Sequence, residues 1–293
     1  MVSQLIVNGI SIGAVYALIA VGFAIVFSIM RFSNFAHGGM ISACAFIGFY
    51  FQRSFDPPPP FYITILFTAV CGMVIAILID TLGYNRIRKN NSPKIYYFLM
   101  SLTFAILIEQ ILTVFYGTNM YGYPKVFQNE TFMIGDLRFK IMNLVILAVS
   151  VTILIALILL INKTKVGLAI RAVAINAEAG KLMGINSGMI VTLIFVIAGI
   201  LAGVSGVFLG VQYSVYPAVG SIMMLKGFIA SVIGGLGSLS GAIFAALALG
   251  LIEICLTYFI GARETTVIMF AVMLVFLFIR PQGISGKITE DKV

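Results

Sequence analysis

The sequence contains no tryptophan, one histidine, three cysteines and few charges. Charged residues account for 10% of the 293 residues, against about 25% in a typical soluble domain. The cysteines Cys44, Cys71 and Cys255 lie in apolar runs without CxxC spacing, and we expect them to serve as small buried hydrophobic residues. One histidine and three scattered cysteines cannot build a metal site.

Motifs for phosphate binding and covalent chemistry are also missing from the sequence. The dipeptide Gly286-Lys287 is followed by Ile288 and lacks the upstream glycine of a P-loop. No nucleophile–base pair is recognisable. The sequence therefore predicts a protein that is not an enzyme, that holds no metal or cofactor and that carries no ATP site of its own.

Apolar residues dominate what is present: 61% of the residues are hydrophobic, and the mean hydropathy is +1.13. A soluble protein of this length cannot bury so much apolar surface, because the ratio of surface to volume falls too slowly with chain length. At about 20 apolar residues per crossing, the chain has room for roughly eight or nine membrane-spanning helices and for no separate soluble domain. We predict an all-α, polytopic helix bundle that forms a single transmembrane domain over residues 1–293.

Nine apolar runs carry this prediction, and the second and the seventh are short for a full span. Irregular backbone at membrane depth is tolerated only where protein or a water-filled cavity surrounds it. We therefore expect these two segments to be thin, strongly tilted or re-entrant. The runs are approximately Leu5–Met30, Gly39–Phe51, Phe61–Ile79, Ile95–Tyr116, Ile141–Ile161, Ile190–Val211, Met223–Ile233, Leu239–Ile260 and Thr265–Ile279.

The net charge of +8 would point to nucleic acid in a soluble protein, but here the charges lie in short loops between apolar runs. With the N-terminus outside and nine crossings, twelve basic residues are cytoplasmic and five are outside, so the positive-inside rule predicts an outer N-terminus and a cytoplasmic C-terminus. Lys226 remains inside the seventh run. The cytoplasmic set is Arg31, Arg86, Arg88, Lys89, Lys94, Lys163, Lys165, Arg171, Lys181, Arg280, Lys287 and Lys292, and the outer set is Arg53, Lys125, Arg138, Lys140 and Arg263.

The polar loop at about residues 162–189 contains a predicted amphipathic helix. Apolar residues recur with the 3–4 spacing of such a helix over Gly167 to Met183, and Gly184 stands where a C-cap glycine belongs. A helix that lies on the lipid interface and a docking helix for a cytoplasmic partner fit this pattern equally well.

An irregular segment, Ser33–Gly39, separates the first two runs. It holds Asn34 and His37, which are costly at membrane depth unless they have partners, while Gly38 and Gly39 permit a sharp turn. A structural role for the histidine is favoured over a proton relay, because the sequence shows no carboxylate partner for it.

A second irregular segment, Val232–Ala242, is rich in glycine and separates the seventh and eighth runs. A flexible break of this kind is typical of a discontinuous helix that lines a pathway or forms a gate. Its glycines and serines are Gly234, Gly235, Gly237, Ser238, Ser240 and Gly241.

Two carboxylates, Glu109 and Glu253, lie within apolar runs. A charge there costs several kcal/mol unless water, a partner or protonation relieves it, so such groups are functional candidates by default. The alternative is a hydrogen bond to a neighbouring helix, to Gln110 or to a hydroxyl.

Small residues spaced by four predict close helix packing on the sixth and eighth runs. They are Ala198, Ala202, Gly206, Gly210, Ala242, Ala246 and Gly250.

Five longer patterns follow one another along nearly the whole chain. They are NGISIGAVYALIAVGFAIVFSIMRFSNFAHG, GLAIRAVAINAEAGKLMGI, FVIAGILAGVSGVFLG, MMLKGFIASVIGGLGSLSGAIFAALALGLIE and IRPQGISG. Together they resemble the permease subunits of bacterial branched-chain amino acid ABC importers, the leucine/isoleucine/valine type. Ser33 is one departure, since an apolar residue is common at this place in that family.

The resemblance implies a multi-pass permease of the bacterial inner membrane that passes branched-chain or other small apolar amino acids into the cytoplasm. It implies three kinds of partner: a second homologous permease subunit, two cytoplasmic ATP-binding subunits that use the ATP, and an extracytoplasmic solute-binding protein. It also favours docking as the role of the polar loop. The predicted coupling residues are Gly167, Ala169, Arg171, Ala172, Glu178, Ala179, Leu182 and Gly184. The predicted pathway or gate residues are Asn34, Phe35, His37, Gly38, Gly234, Gly235, Gly237, Ser238, Glu109 and Glu253.

Two alternatives stay open at this point. A permease of the same class could carry urea, short amides or another small solute. An ion-coupled secondary transporter or a channel would instead use Glu109, Glu253 and His37 to carry protons.

Overall fold

The computed structural model describes residues 2–90, 92–124, 131–134, 137–280 and 282–285. The described chain is a helix bundle with one small antiparallel hairpin outside it, in which Thr131 pairs with Lys140. The helices are α1 (Val2–Met30), α2 (Ala36–Arg53), α3 (Phe61–Ile79), α4 (Asn85–Lys89), α5 (Lys94–Tyr116), α6 (Ile141–Lys163), α7 (Lys165–Ile175), α8 (Ala177–Leu182), α9 (Ser187–Tyr213), α10 (Val219–Gly234), α11 (Leu239–Phe259) and α12 (Ala262–Ile279). The strands are β1 (Thr131–Ile134) and β2 (Leu137–Lys140), and a π-helical stretch, Asp80–Tyr84, joins α3 to α4.

The long helices confirm the predicted helix bundle. Within the described ranges, six helices are long and apolar enough to cross a membrane, and Val219–Gly234 and Glu264–Ile279 are shorter apolar helices. The six are Gln4–Met30, Phe61–Lys89, Lys94–Tyr116, Ile141–Lys163, Ser187–Tyr213 and Leu239–Phe259.

Helix α1 lies at the centre of the bundle, with α9, α10 and α11 packed around it. Its residues from Val15 to Val21 are fully buried, so the helix is covered on every side. An all-round apolar sequence is what such a position requires, because no face of the helix meets water. Helix α9 connects this centre to α2 and α3 on the other side.

One end of the bundle, which we call the α7 end, carries α7 and α8. The side chain of Arg31, just after α1, donates a hydrogen bond to the backbone carbonyl of Ala174 in α7 (3.5 Å). The backbone N–H of Ile284 donates to the carbonyl of Ile233 near the end of α10 (2.8 Å). The α1–α2 connection, the α10–α11 turn and the segment after α12 therefore share this end.

The opposite end, which we call the hairpin end, carries β1 and β2. Tyr121 and Val215 exchange two backbone hydrogen bonds (2.9 and 2.8 Å), which join the segment after α5 to the connection between α9 and α10. Tyr123 packs beside Gly48 of α2 at this end, and its burial raises the pKa of its phenol.

The two short helices, α2 and α10, begin inside the bundle rather than at its ends. Gly39 near the start of α2 packs against Ala105, the middle residue of α5. At the start of α10, the backbone N–H of Gly220 donates to the hydroxyl of Ser42 (2.9 Å). Residues 32–35 of the connection are thus irregular backbone that is buried or half-buried in protein, whereas Arg31 is exposed.

The prediction of a sharp turn at Gly38 and Gly39 is wrong. Both residues lie in the first turn of α2, and the chain instead reverses at Arg31, whose φ is 54°. The two glycines are needed for close packing, because a methyl group on Gly38 would press on the backbone of Ser221 (3.0 Å). The second run is accordingly a longer helix than its apolar residues indicated.

Small residues let the helices approach closely, as the spacing predicted. Ala198 and Ala202 of α9 are fully buried, and a methyl group on Gly206 would meet the carbonyl oxygen of Ile41 in α2 (2.6 Å). A second glycine face of α9, which we did not predict, meets α3: a methyl group on Gly203 would collide with the carbonyl of Thr68. Close backbone contact supplies van der Waals packing where lipid removes the hydrophobic drive for helix association.

We expect Gly203→Ala to destabilise the protein by about 1–3 kcal/mol, because the added methyl group has a rigid carbonyl in its way. Gly122→Ala is the matched control, since nothing lies within 4 Å of the methyl group it would add. Thermal unfolding in detergent micelles measures both variants. Equal melting temperatures for the two variants would contradict the close α3–α9 packing.

Candidate functional site

Helix α7 begins at the end of α6 and is held there by its cap. The hydroxyl of Thr164 accepts a hydrogen bond from the backbone N–H of Gly167 (3.0 Å), which satisfies one of the free donors in the first helical turn. A side chain at Gly167 would collide with the carbonyls of Leu160 and Ile161. A glycine is therefore required where α7 turns sharply away from α6.

The single helix predicted over Gly167 to Met183 is wrong, because it breaks at Asn176. The side-chain oxygen of Asn176 accepts hydrogen bonds from the backbone N–H groups of Glu178 and Ala179 (both 3.0 Å) and so starts a new helix, α8. Gly184 adopts a φ of 81°, which confirms its predicted position just after the helix end.

The apolar residues of α7 and α8 divide into a buried and an exposed group. Ile170 and Val173 face the bundle and are buried. In contrast, Ile175, Leu182 and Met183 are 87%, 89% and 82% exposed. These three side chains, which we call the apolar tip, protrude from the ends of α7 and α8, and exposed large apolar side chains of this kind mark an interaction site.

The predicted coupling residues lie together on this element. Gly167 is buried, Ala169 and Ala172 are half-buried, and the others are exposed. The guanidinium of Arg171 donates to the backbone carbonyl and side-chain oxygen of Asn162 (3.5 and 3.4 Å). The exposed predicted residues are Arg171, Glu178, Ala179, Leu182 and Gly184.

Glu253 of α11 forms a buried ion pair with Lys226 of α10. The Lys226 ammonium donates to Oε1 of Glu253 (2.5 Å) and to the hydroxyl of Tyr16 in α1 (3.0 Å). The Tyr16 hydroxyl in turn donates to the same Oε1 (3.1 Å) and lies 3.3 Å from the hydroxyl of Tyr213 in α9. This group, which we call the α10 anchor, joins four helices at one point.

Lys226, Tyr16 and Tyr213 were not among the predicted site residues. The one available signal was charge: Lys226 and Glu253 are opposite charges in neighbouring apolar runs. A membrane-embedded charge needs a partner, and a hairpin of two helices brings such residues together. The tyrosines carried no comparable signal, because tyrosine is also a common core residue.

Glu109 lies on a different, more open surface formed by α5 and the start of α10. Its Oε2 accepts a hydrogen bond from the hydroxyl of Ser221 (2.9 Å). Both residues are half-buried, and Ile222 beside Ser221 is exposed. Glu109 lies four residues from the middle of α5, or about 6 Å along its axis. A carboxylate at that depth faces protein or a water-filled cavity, because lipid would penalise its charge.

Phe35 belongs to an aromatic group on the same surface, nearer the α7 end. Its ring centroid lies 5.9 Å from that of Phe98 in α5 and 5.9 Å from that of Phe228 in α10. All three rings are half-buried. We call the surface from Glu109 and Ser221 to these rings the α5–α10 face. It is therefore polar near the middle of the bundle and aromatic nearer the α7 end.

Asn34 and His37 lie behind the α5–α10 face and are buried. Asn34 accepts a hydrogen bond from the hydroxyl of Tyr84 (2.9 Å). The His37 ring packs against Gly22 of α1, and its two nitrogens have no hydrogen-bond partner within the described part of the chain. Asn34, Phe35 and His37 are neighbours in the chain, whereas Glu253 contacts a different set of residues that includes Tyr16 and Lys226.

The glycine-rich segment forms a tight turn between α10 and α11 at the α7 end. Gly235 and Gly237 adopt φ values of 105° and 88°, which a side chain would oppose. The Ser238 hydroxyl accepts from the backbone N–H of Gly241 (3.2 Å) and caps α11. A methyl group on Gly234 would collide with the backbone of Gly241, so the two helices touch directly here.

Comparison with known proteins shows the same family by a sequence profile and by individual relatives. A sequence profile described as "Branched-chain amino acid transport system / permease component" matches residues 5–278. The chain is 30% identical to the high-affinity branched-chain amino acid transport system permease protein BraD of Pseudomonas aeruginosa, over 99% of this chain and 97% of that protein. It is 29% identical to the corresponding protein LivH of Escherichia coli K12, with the same coverage of both chains.

A solved structure shares the fold. A chain of PsaBC from Streptococcus pneumoniae, determined in complex with Fab, aligns with 96% of this chain and 92% of its own length, with a TM-score of 0.50 and 16% sequence identity.

Proposed function

The chain belongs to the family of branched-chain amino acid transport system permease components, and on that premise we propose that it is the membrane subunit of an ABC importer for branched-chain amino acids. The observation that carries this proposal is the combination of a membrane helix bundle with a protruding apolar tip on α7 and α8. Such a tip needs a protein partner, because a soluble loop gains nothing from exposing three large apolar side chains.

The partner proposed for the apolar tip is a cytoplasmic ATP-binding subunit. The α7 end is then the cytoplasmic end, in agreement with its charge. The hairpin end faces the solute-binding protein. Ten basic residues lie at the α7 end: Arg31, Arg86, Arg88, Lys89, Lys94, Lys163, Lys165, Arg171, Lys181 and Arg280.

Motion of the ATP-binding subunits would reach the bundle through contacts already present. The buried side of α7 packs against the bundle through Ile170 and Val173, and Arg31 ties α7 to the end of α1. A push on α7 therefore moves the central helix of the bundle. ATP binding would shift the population between outward-open and inward-open arrangements, because the ATP-binding pair contacts the two arrangements differently.

The proposed translocation path runs along the α5–α10 face, with a second permease subunit completing its other wall. A branched-chain amino acid carries an ammonium group and an apolar side chain. Glu109 offers a carboxylate to the ammonium group, and the aromatic rings of Phe35, Phe98 and Phe228 offer an apolar surface to the side chain. The face thus has one polar and one apolar part, as the substrate does. Glu253 has no direct role in this path, since its charge is already paired with Lys226.

Glu109→Gln is expected to raise the KM for leucine by about 10- to 100-fold, because hydrogen bonds to charged groups contribute roughly 1.5–3 kcal/mol. Gln110→Ala is the control, since Gln110 is exposed on the adjacent face of α5. Uptake kinetics of the complete transporter measure both variants. An unchanged KM for Glu109→Gln would remove Glu109 from the path.

Uptake by the complete transporter in proteoliposomes tests the substrate. We expect radiolabelled leucine to be taken up, and unlabelled isoleucine and valine to compete with it. Urea and acetamide are the control competitors, and we expect no effect from them. Strong competition by urea, with none by valine, would assign the transporter to a different solute.

A further inference from the structure

A cavity of about 560 Å³ lies at the α7 end, apart from the α5–α10 face. It is an open cavity lined by the end of α1, the α4–α5 connection, α7, α8 and the start of α9. Its floor is apolar and includes Met30, Val173 and Val191, whereas its rim is basic. The basic side chains that line it are Arg88, Lys89, Lys94 and Lys181.

Three of these four positive charges are uncompensated. Arg88 donates to Asp80 (3.1 Å), which also accepts from the hydroxyl of Thr192 (2.6 Å), so this pair is neutral and fixed. The three lysines form no salt bridge within the described ranges. Charges gathered around one cavity repel one another, and an anion that enters it relieves that repulsion.

A groove of about 300 Å³ adjoins this cavity at Ser92, which lines both. It runs along α5 past Tyr96, Leu99 and Thr103, which succeed one another at one-turn spacing. From Lys94 to Thr103 the helix rises about 14 Å, so the groove descends from the membrane surface well into the hydrocarbon layer. The cavity therefore continues into a groove that carries Arg86 and Asn90 beside α4 and becomes mainly apolar along α5, at Leu99 and Met100.

We propose that this cavity and groove bind an anionic phospholipid. The phosphate-bearing headgroup lies among Lys89, Lys94 and Lys181, and one acyl chain follows the groove along α5. Basic pockets between membrane helices at the cytoplasmic surface are suited to acidic headgroups, and each lysine near an anionic surface contributes about fivefold in affinity. A free phosphate ion would use the cavity and leave the groove empty, so the groove favours the lipid.

The absence of tryptophan makes a direct test simple. Tyr96→Trp places the sole tryptophan of the sequence in the groove, where Tyr96 is 54% exposed. The purified full-length variant is reconstituted in phosphatidylcholine nanodiscs that contain increasing fractions of brominated phosphatidylglycerol or of brominated phosphatidylcholine. We expect the brominated phosphatidylglycerol to quench the tryptophan at a several-fold lower mole fraction.

The triple change Lys89→Gln, Lys94→Gln and Lys181→Gln, made in the same reporter, is expected to abolish this preference. The control Lys163→Gln with Lys165→Gln removes two charges from the same end outside the cavity and should preserve it. Equal quenching by both lipids, or a preference that survives the triple change, would overturn the proposal. Loss of the preference on adding inorganic phosphate at low millimolar concentration would assign the cavity to a free anion instead.

Discussion

Lys226→Met is expected to lower the free energy of unfolding by about 3–5 kcal/mol, the largest single effect on stability that we predict. The change leaves the Glu253 carboxylate buried without its ammonium partner. The tyrosine hydroxyl that remains, from Tyr16, donates one hydrogen bond and cannot neutralise the charge. Thermal unfolding of the purified protein in detergent micelles measures the loss.

The double variant Lys226→Met with Glu253→Leu separates the ion pair from the packing of α10. Replacing both charges by apolar side chains of similar size removes the unpaired charge, so most of the lost stability should return. The Tyr16 hydroxyl keeps its contact with Tyr213 in this variant. Lys165→Met is the surface control and should change stability by less than about 0.5 kcal/mol. A double variant as unstable as the single one would show that the pair contributes through packing alone.

Serine at all three positions of the apolar tip, Ile175, Leu182 and Met183, is expected to abolish ATP-driven uptake. Their exposed apolar surface is the part proposed to enter the ATP-binding subunit, and polar replacements lose most of the contact energy. Central apolar anchors of an interface cost about 2 kcal/mol or more each when truncated, so three together reduce affinity by at least a thousandfold. Retention of the ATP-binding subunits during purification measures the effect.

Met120→Ser provides the matched control for the apolar tip. Met120 is 74% exposed at the hairpin end, so its replacement removes one apolar side chain of comparable exposure from the opposite end of the bundle. We expect the ATP-binding subunits to remain bound to this variant. The triple serine variant should fold normally, because its three side chains contact little of the bundle. If it retained both its ATP-binding subunits and full uptake, the docking role of α7 and α8 would be wrong.

The helix bundle was predictable from sequence because each long helix is an unbroken apolar run. The run Leu239–Ile260, for example, differs from helix α11 by one residue. The first turn of α2 was harder to predict, since two consecutive glycines, Gly38 and Gly39, indicate a turn when only their own sequence neighbours are considered. Their role depends on α10 and α5, which lie far away in sequence and press on them in the fold.

The sequence did contain a signal for the break between α7 and α8, but the apolar 3–4 spacing continues across it and favoured one continuous helix. Asn176 precedes Ala177 and Glu178, which is the pattern of a helix N-cap, and its side chain outcompetes the continuing helix for two backbone donors. The contact between Glu109 and Ser221 could not be predicted, for a different reason. Glu109 and Ser221 are 112 residues apart, and only the packing of α5 against α10 shows that they meet.

Leucine uptake with and without ATP is the most direct test of the account. The chain is reconstituted in proteoliposomes alone, and also together with the second permease subunit, the ATP-binding subunits and the solute-binding protein. We predict uptake only in the complete assembly and only with ATP on the side of the α7 end. Uptake by the chain alone, driven by a proton gradient, would contradict the account and would instead identify an ion-coupled transporter.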